Sequence, residues 1–372
     1  MASVVGIVFA NMNEENLDML TKTRAAGSVP FGGRYRMIDF ILSSMVNSGI
    51  NKVGVITSNN YQSLMDHIGT GKEWDLARKN GGLVMLPPYG NSNAGATSRI
   101  ESLQAVHGFV ERCTEEYVVL SDCDVVYNMD FDEIIAGHEK NDADITMIYH
   151  KGTHDKFSNR PLATLEVSGS GKVLDMAVRP TDDDGVVNQY IKVIVMKKTH
   201  LQSLVNDATG HGRKDLLLEV LYKSLPYGKT YAYEYKGYYA YMNSVQSYFA
   251  SSMEILKKEN RDLLFNGTNS AIYTKVKDSA PTKYGEKCVV KNSFIADGCE
   301  IMGTVENSII FRGVKVLEGA VIKDSIIMQD GYIGKNASLN CIVGDKDIVV
   351  KDGRILAGCP ELPYFIGKGR TL

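Results

Sequence analysis

The chain has 372 residues, of which 44% are hydrophobic and 23% charged, a composition typical of a globular protein with about two domains. Its formal charge of −3 gives no polyelectrolyte character, so we expect neither nucleic acid nor an anionic membrane as a partner. No apolar run approaches the roughly 18 residues of a membrane span and the N-terminus lacks a basic leader, so we expect a cytoplasmic protein.

The first half of the chain alternates strand patterns with helix patterns. Residues 4–9 are a continuous apolar, β-branched run of the kind that fills a buried parallel strand. Residues 36–49 carry apolar side chains at helical spacing and end at Asn-Ser-Gly, which is a helix C-cap signal. Residues 52–57 form the next strand pattern, and similar patterns follow after short loops. The alternation predicts a mostly parallel α/β sheet with ligands at the carboxyl ends of its strands.

The end of this half is marked by a helix pattern and a linker pattern. Residues 143–241 are richer in strand patterns, and residues 247–264 predict one amphipathic helix. Residues 266–285 are polar and contain Gly and Pro, as linkers do. We therefore predict a first domain over residues 1–265 and a linker over residues 266–285.

A repeat appears in the remaining residues, 286–372. Asn292-Ser-Phe-Ile, Asn307-Ser-Ile-Ile and Asp324-Ser-Ile-Ile follow one another at intervals of 15 and 17 residues, and apolar residues recur every six positions. Ordinary β-hairpins would show a period of two instead. A six-residue step with a three-sided turn of about 18 residues predicts a β-solenoid, whose flat faces are suited to assembly.

The turn after the first strand pattern lacks the residues that bind phosphate. Phosphate cradles use glycines, so that backbone N–H groups can approach the anion, and cations that neutralise it. Residues 10–16 contain no Gly, Arg or Lys, and they include Glu14 and Glu15. Either the pattern is accidental, or a phosphate-binding protein has lost its phosphate site.

Two motifs identify a family resemblance over essentially the whole chain. The motifs are Val29-Pro-Phe-Gly-Gly-Arg-Tyr-Arg-Met-Ile-Asp-Phe40 and Asn47-Ser-Gly-Ile50. Together with the N-terminal sheet pattern, Lys52-Val-Gly-Val-Ile-Thr57 and the C-terminal β-helix pattern, they resemble glucose-1-phosphate adenylyltransferase, or ADP-glucose pyrophosphorylase. The resemblance implies a Rossmann-like nucleotidyltransferase domain followed by a left-handed β-helix of hexapeptide-type repeats. It also implies a family reaction in which ATP and glucose 1-phosphate give ADP-glucose with Mg²⁺, in tetramers under allosteric control.

The residues of the family's catalytic site depart from its pattern. The family's Gly-Gly-x-Gly-x-Arg-Leu loop falls on residues 11–17, where Asn11 and Met12 replace glycines and Asn16 replaces the Arg. Ala26 stands where the family has the Lys of a Lys-Pro pair, and Tyr241 where it has a second metal-binding Asp. We therefore assign no catalytic residue and expect no cofactor to be required by this chain.

Three positions are candidates for vestigial substrate binding. Asp124 aligns with the family's first metal carboxylate, although Asp122 could take its place, and Asp124 could equally be a turn or helix-cap carboxylate. Arg179 replaces the family's sugar-phosphate Lys and keeps its charge but not its compact ammonium. Gly95 belongs to a segment that contacts the nucleotide in the family. The loss of one of two metal carboxylates should weaken a Mg²⁺ site severely.

Four arginines are candidates for an allosteric anion site. Arg24 and Arg36 match arginines beside the family's Phe-Gly-Gly run, and Arg354 and Arg370, with Lys368, are candidates from the solenoid. Guanidinium groups bind the phosphates of a sugar-phosphate or nucleotide effector through paired hydrogen bonds. Alternatively, Arg36 pairs with a local carboxylate such as Asp39 and the C-terminal cations are only solvated.

The leading hypothesis is a catalytically impaired, regulatory-type family member that assembles with a homologous catalytic subunit, as a hetero-tetramer. Because the departures concentrate at one site while the scaffold motif is intact, random divergence explains them less well. One alternative is an active sugar-nucleotidyltransferase with an atypical phosphate loop. A hexapeptide-repeat acyltransferase is a weaker alternative, since residues 286–372 contain no His that could serve as a general base.

Overall fold

The computed structural model describes residues 3–12, 17–57, 59–87, 98–153, 162–179, 185–267 and 271–372. Within these residues, an N-terminal α/β domain is followed by a β-helix. The strands of the α/β domain are β1 (Val4–Phe9), β2 (Pro30–Phe31), β3 (Tyr35–Arg36), β4 (Lys52–Ile56), β5 (Gly82–Leu86), β6 (Tyr117–Asp122), β7 (Val125–Tyr127), β8 (Ile145–Gly152), β9 (Leu162–Val167), β10 (Val173–Arg179), β11 (Val187–Lys197), β12 (Thr230–Glu234) and β13 (Tyr239–Tyr241).

The helices of this domain lie between those strands along the chain, except for the last two, which follow β13. They are α1 (Met37–Asn47), α2 (Gln62–Ile68), α3 (Arg99–Ala105), α4 (His107–Arg112), α5 (Phe131–Lys140), α6 (Lys198–Gly210), α7 (Tyr222–Ser224), α8 (Val245–Glu254) and α9 (Lys258–Phe265), with a π-helix at Leu216–Leu221 and short 3₁₀ turns at Asp18–Leu20, Ala26–Ser28 and Lys72–Trp74. The single helix predicted over residues 247–264 is wrong in detail, because the chain turns between α8 and α9 to bury Ile255 and Leu256. None of the described helices is long and apolar enough to cross a membrane.

The central sheet has a parallel half and an antiparallel half. β6, β1, β4 and β5 are parallel neighbours in that order, so the chain reverses its direction of winding between β1 and β6. Strand β11 continues the sheet antiparallel to β6 and branches to β8 and β9. In open α/β sheets the ligand crevice lies outside the carboxyl ends of the strands at such a reversal. The candidate site is therefore expected at the carboxyl ends of β1 and β6.

The C-terminal part is the parallel β-helix that the six-residue period predicts. Its strands are β14 (Lys283–Tyr284), β15 (Val289–Lys291), β16 (Phe294–Ile295), β17 (Glu300–Ile301), β18 (Thr304–Glu306), β19 (Ile309–Ile310), β20 (Lys315–Val316), β21 (Val321–Lys323), β22 (Ile326–Ile327), β23 (Tyr332–Ile333), β24 (Ser338–Asn340), β25 (Ile342–Gly344), β26 (Val349–Val350), β27 (Ile355–Ala357) and β28 (Tyr364–Ile366). They form three parallel sheets of five strands, consistent with a left-handed β-helix, and the fold prediction is confirmed.

Corner residues explain why this repeat forms. Asn292, Asn307 and Asp324 occupy equivalent corners with φ between 42° and 44°, a left-handed conformation that Asn and Asp tolerate better than most side chains. The serine that follows each of them stacks on the serine of the next coil. The backbone N–H of Ser325 donates to Oγ of Ser308 at 3.1 Å, so the turns of the solenoid are held in register.

One face of the β-helix is buried against the α/β domain. Ile309, Ile326 and Val343 point outward from the third sheet and join a common apolar core with Phe31 and Tyr248. This core includes residues of the 29–40 motif, which explains why that motif is a scaffold element. In the described part of the predicted linker, residues 266–285, the backbone N–H of Tyr273 donates to Oγ of Ser43 in α1 at 2.8 Å, and β14 already pairs with β17 of the β-helix.

Candidate functional site

Three predicted site positions meet where β1 and β6 end. Asp122 is the last residue of β6 and lies in register with Phe9 of β1, and Asp124 follows it at the start of the next turn. Strand β13 pairs antiparallel with β7, which places Tyr241 opposite Val125 and so beside Asp124. The sequence-based alignment of Tyr241 with a second metal carboxylate thus refers to a position that is adjacent to Asp124 in space.

Each of the two carboxylates is paired with a cation. Nε of Arg99, from the first turn of α3, donates to Oδ1 of Asp122 at 3.0 Å, and its Nη2 pairs with Oδ2 of the same carboxylate. Nζ of Lys192 lies 2.5 Å from Oδ2 of Asp124 and 3.7 Å from Oδ2 of Asp122. Both carboxylates are buried, with side chains 2% and 1% exposed. The charges at this strand end are therefore compensated by the chain's own side chains.

Lys192 reaches this position from an unusual backbone conformation. It lies in β11 with φ of 62°, where the pairing of β11 with β8 shifts register between Tyr190 and Ile194. Such a left-handed conformation costs a non-glycine residue about 1–3 kcal/mol and persists only where the surroundings enforce it. Burial alone would lower the pKa of Lys192, but the carboxylates of Asp124 and Asp122 and the Tyr241 phenol outweigh it and raise the pKa to about 12. Lys192 is therefore a charged ammonium at physiological pH.

The ring of Tyr241 covers the other side of this ammonium. Nζ of Lys192 lies 4.0 Å from the ring centroid of Tyr241, a cation–π contact. A cavity of about 110 Å³ opens beside the pair. Its lining combines tyrosines and leucines with the two cations, namely Arg99, Ala163, Tyr190, Lys192, Leu216, Leu217, Leu221, Tyr239 and Tyr241. Asp215, just before these leucines, caps the π-helix by accepting from Leu217 N and Leu218 N.

A divalent cation does not fit this arrangement of residues. Mg²⁺ needs near-octahedral oxygen ligands at 2.0–2.1 Å, usually from carboxylates and waters. Here the two carboxylates are held by Arg99 and Lys192, and the position opposite Asp124 presents an aromatic ring. Among the described residues, no group of three or more His, Cys, Asp or Glu side chains converges as a metal site would require. The assignment of Asp124 as a metal ligand stays a prediction that the ion pair disfavours.

The remaining vestigial positions are only partly described. Nδ2 of Asn11 donates to Oγ of Ser102 at 2.9 Å, which ties the turn after β1 to α3, and Met12 is buried. Ala26 is fully buried in its 3₁₀ turn. Asn16, Glu14, Glu15 and Gly95 lie outside the described residues, as does the side chain of Arg179 at the end of β10.

Two of the predicted anion-binding arginines lie at the domain seam. Nη2 of Arg24 lies 2.8 Å and 2.7 Å from the two carboxylate oxygens of Asp345 in the β-helix, and both side chains are 3% exposed. Nη1 of Arg36 donates to the carbonyl of Ser63 at 2.6 Å, whereas its backbone N–H donates to Oδ2 of Asp39 at 3.0 Å. Asp39 is thus a partner of Arg36, as one alternative supposed, but through the backbone.

Lys346 adds a third cation to this seam. Burial, together with the guanidinium groups of Arg36 and Arg24, lowers the pKa of Lys346 to about 7. Its carbonyl accepts from Gly369 N at 2.9 Å, so the chain beside Arg370 runs past it. Arg354 and Arg370 themselves are exposed, as is Lys368. An anion would relieve the repulsion among the seam cations, although Arg24 already binds Asp345.

Sequence reasoning missed Lys192, Arg99 and Lys346. Lys192 did carry a signal, because it interrupts an otherwise apolar run from Ile191 to Met196 in a central strand. Arg99 and Lys346 lie in surroundings of ordinary polarity, and only the fold brings them to their partners.

Comparison with known proteins finds family matches over most of the chain. Residues 13–275 match the nucleotidyl transferase family, and residues 275–359 match the GlmU-like C-terminal hexapeptide family. Glycogen biosynthesis protein GlgD is 33% identical in Bacillus subtilis (strain 168) over 367 residues and 38% identical in Geobacillus stearothermophilus over 373 residues, each covering 98% of this chain and 96% of the relative. Glucose-1-phosphate adenylyltransferase of Bacillus mycoides (strain KBAB4) is 31% identical over 358 residues, which cover 95% of this chain and 94% of that enzyme. The chain therefore belongs to the nucleotidyltransferase family of glucose-1-phosphate adenylyltransferase and the GlgD proteins of glycogen biosynthesis.

Proposed function

We propose that this chain is a regulatory, catalytically impaired subunit that assembles with a homologous catalytic chain making ADP-glucose from ATP and glucose 1-phosphate. The observation that carries the proposal is the pairing of Asp124 with Lys192 under the ring of Tyr241. A triphosphate needs a divalent cation and mobile phosphate donors, because phosphoryl-group chemistry depends on positioning and charge neutralisation. The phosphate-loop sequence, with Glu14 and Glu15 and no glycine, supports the same conclusion.

The scaffold supports a role in assembly. The 29–40 motif is packed into the seam, where the hydroxyl of Tyr248 donates to the carbonyl of Pro30 at 2.7 Å. On the second sheet of the β-helix, an uncharged row faces outward, and its end residues Val289 and Ile355 are 39% and 78% exposed. The row consists of Val289, Thr304, Val321, Ser338 and Ile355, which are paired in register. The same sheet also carries the charged row Lys291, Glu306 and Lys323, so the uncharged row is a stripe beside surface ion pairs. A regular stripe of this kind is suited to a second chain with the same repeat.

The first experiment compares activity with and without the homologous catalytic chain of the same organism. We expect the isolated chain to form ADP-glucose at least ~10³-fold more slowly than the catalytic chain, since one lost charge-stabilising contact already costs ~10²–10³ in rate. Co-expression should yield a mixed complex with an altered kcat, KM or effector response. Robust ADP-glucose formation by the isolated chain would favour the alternative, an active nucleotidyltransferase with an atypical loop.

The assembly surface has a matched test. Ile355→Arg introduces a charge into the uncharged row, whereas Tyr227→Arg makes the same kind of change at a 93% exposed residue of the α/β domain. We expect only Ile355→Arg to reduce co-purification with the catalytic chain. Equal co-purification of both variants would remove this face from the proposal.

The seam cations are the proposed effector site. Arg36 and Lys346 are half-buried cations, and the Arg36 guanidinium is close enough to contribute to the lowered pKa of Lys346. A sugar phosphate or nucleotide phosphate would stabilise such an arrangement of cations. Isothermal titration of the isolated chain with glucose 6-phosphate and with AMP provides one probe of each class. Binding that Lys346→Met weakens and that Lys335→Met, a change at an exposed lysine of the β-helix, does not weaken would support the site. Equal binding by both variants would exclude it.

A further inference from the structure

One position in the site is defined by three separate groups. Nζ of Lys192 lies 2.5 Å from a carboxylate oxygen of Asp124, 3.7 Å from a carboxylate oxygen of Asp122 and 4.0 Å from the ring centroid of Tyr241. The lysine side chain is only 16% exposed. The nitrogen thus lies near one oxygen of each carboxylate, where a cation shared by those two oxygens would also lie.

The backbone is shaped to deliver a cation there. Lys192 has φ of 62° at the register shift of β11, a conformation that glycine adopts without strain and lysine rarely adopts. The partners come from different elements, since Asp124 follows β6 and Tyr241 ends β13. A strained residue whose charged end meets partners from two other elements is held there by the whole site rather than by its own strand.

We propose that the ammonium of Lys192 is a built-in cation that takes the place of a divalent metal ion between Asp122 and Asp124, so that the site is complete without metal. The inference rests on one part of the proposed function, the impaired catalysis, which it deepens. It assigns to Lys192 a role in excluding metal and in neutralising the strand end, and it requires no partner chain.

The chemistry of the surrounding groups favours an ammonium over a metal ion. A ring face attracts an organic cation through its quadrupole, but it supplies no oxygen to replace the waters that Mg²⁺ gives up reluctantly. Asp122 is further occupied by Arg99, which leaves Asp124 as the carboxylate that faces Lys192 most closely. Removal of Lys192 would take away the ammonium that pairs with Asp124, and a divalent ion should then become stabilising.

The experiment measures metal binding by the isolated full chain, not its activity. Mn²⁺ binding is followed by electron paramagnetic resonance. The melting temperature is compared in excess MnCl₂ and in EDTA. For the wild type we expect no bound Mn²⁺ and equal melting temperatures in the two buffers. For Lys192→Gly combined with Tyr241→Asp, which restores a carboxylate and relieves the backbone, we expect bound Mn²⁺ and a melting temperature about 3 °C higher in Mn²⁺.

A lysine on the same strand provides the matched control. Lys197 ends β11, is 40% exposed and lies 3.8 Å from Asp142, so Lys197→Gly should gain no Mn²⁺ dependence. Wild-type Mn²⁺ binding, or a folded Lys192→Gly/Tyr241→Asp variant that binds none, would overturn the inference. If the double variant does not fold, Lys192→Met replaces it as the test. A lower melting temperature than the wild type would support the inference, and an unchanged one would show that the carboxylates need no cation. Failure of this test leaves the assembly proposal standing, because that proposal is measured by co-purification.

Discussion

The ion pair between Arg24 and Asp345 joins the two domains and predicts a strong dependence of stability on each partner. A single nitrogen, Nη2 of Arg24, lies 2.8 Å and 2.7 Å from the two carboxylate oxygens of Asp345, and the pair is almost completely buried. Asp345→Asn removes the negative charge and leaves the guanidinium buried opposite a neutral amide. Arg24→Met removes the positive charge and leaves a buried carboxylate.

The expected loss follows from the cost of an uncompensated buried charge. Breaking one side of a buried ion pair costs about 3–5 kcal/mol, whereas replacing both sides by apolar residues is often neutral or stabilising. For a chain of 372 residues, 3–5 kcal/mol corresponds to a decrease in melting temperature of about 4–6 °C. We therefore expect both single variants to melt earlier by that amount and Arg24→Met/Asp345→Leu to melt within about 2 °C of the wild type.

The assay is thermal unfolding of the four proteins followed by circular dichroism, with limited proteolysis of residues 266–285 as a second readout. A single variant with an undocked β-helix should be cleaved faster in that segment. Two results would refute the reasoning: single variants as stable as the wild type, or a double variant that loses the sum of the single losses. The second result would mean that the pair contributes packing rather than charge compensation.

Three further predictions concern other parts of the fold. Burial and the neighbouring Lys197 lower the pKa of His138 to about 4, below its unfolded value near 6.5, so the unfolded state gains a proton first as the pH falls. Wild-type stability should therefore decline between pH 6.5 and about 4, and His138→Gln should flatten that decline in urea titrations at each pH. Gly137→Ala in α5 adds a Cβ that meets nothing within 4 Å, so we expect a gain of about 0.5–1 kcal/mol in unfolding free energy, and a loss would contradict it. Ser308→Ala leaves the N–H of Ser325 without its 3.1 Å acceptor and should cost about 1–3 kcal/mol of unfolding free energy, measured in urea. Ser308→Thr keeps the hydroxyl and Ser308→Cys does not, so a smaller loss for Thr than for Cys would assign the loss to the hydrogen bond rather than to packing.

The elements that sequence patterns predicted are those whose signal is local. Residues 4–9 predict a buried strand because all six are apolar residues or Gly, and all six are buried in β1. The β-helix was predictable for the same reason, since a coil repeats its inward residues every six positions and stacks on its neighbour in the chain. The break between α8 and α9 had no such signal, because it depends on where the β-helix docks.

The site was predictable only in part. Tyr241 was placed beside Asp124 by its match to the family motif, and β13 does bring the two together. The role of Lys192 was not predicted, because its ion-pair partner lies 68 positions away in the sequence. The contact also depends on a register shift in β11, which leaves no periodic pattern in the sequence. Arg24 was singled out as an anion-binding residue, yet its partner Asp345 lies 321 positions away in the other domain. Long-range pairs of this kind become visible only after the chain is folded.

The two ion-paired sites share one physical property: buried charges are compensated by other side chains of the same chain. A catalytic strand end that presents bare carboxylates to a metal ion is strained by their repulsion whenever the metal is absent. In this chain Arg99 and Lys192 pair with Asp122 and Asp124, so side chains of the α/β domain itself compensate these buried charges. The same logic applies at the seam, where Asp345 compensates Arg24 and fixes the β-helix to the domain. A chain proposed to act by assembly gains from this design, because its surfaces keep one geometry whether or not substrates are present, and a metal-dependent melting temperature of the wild type would argue against it.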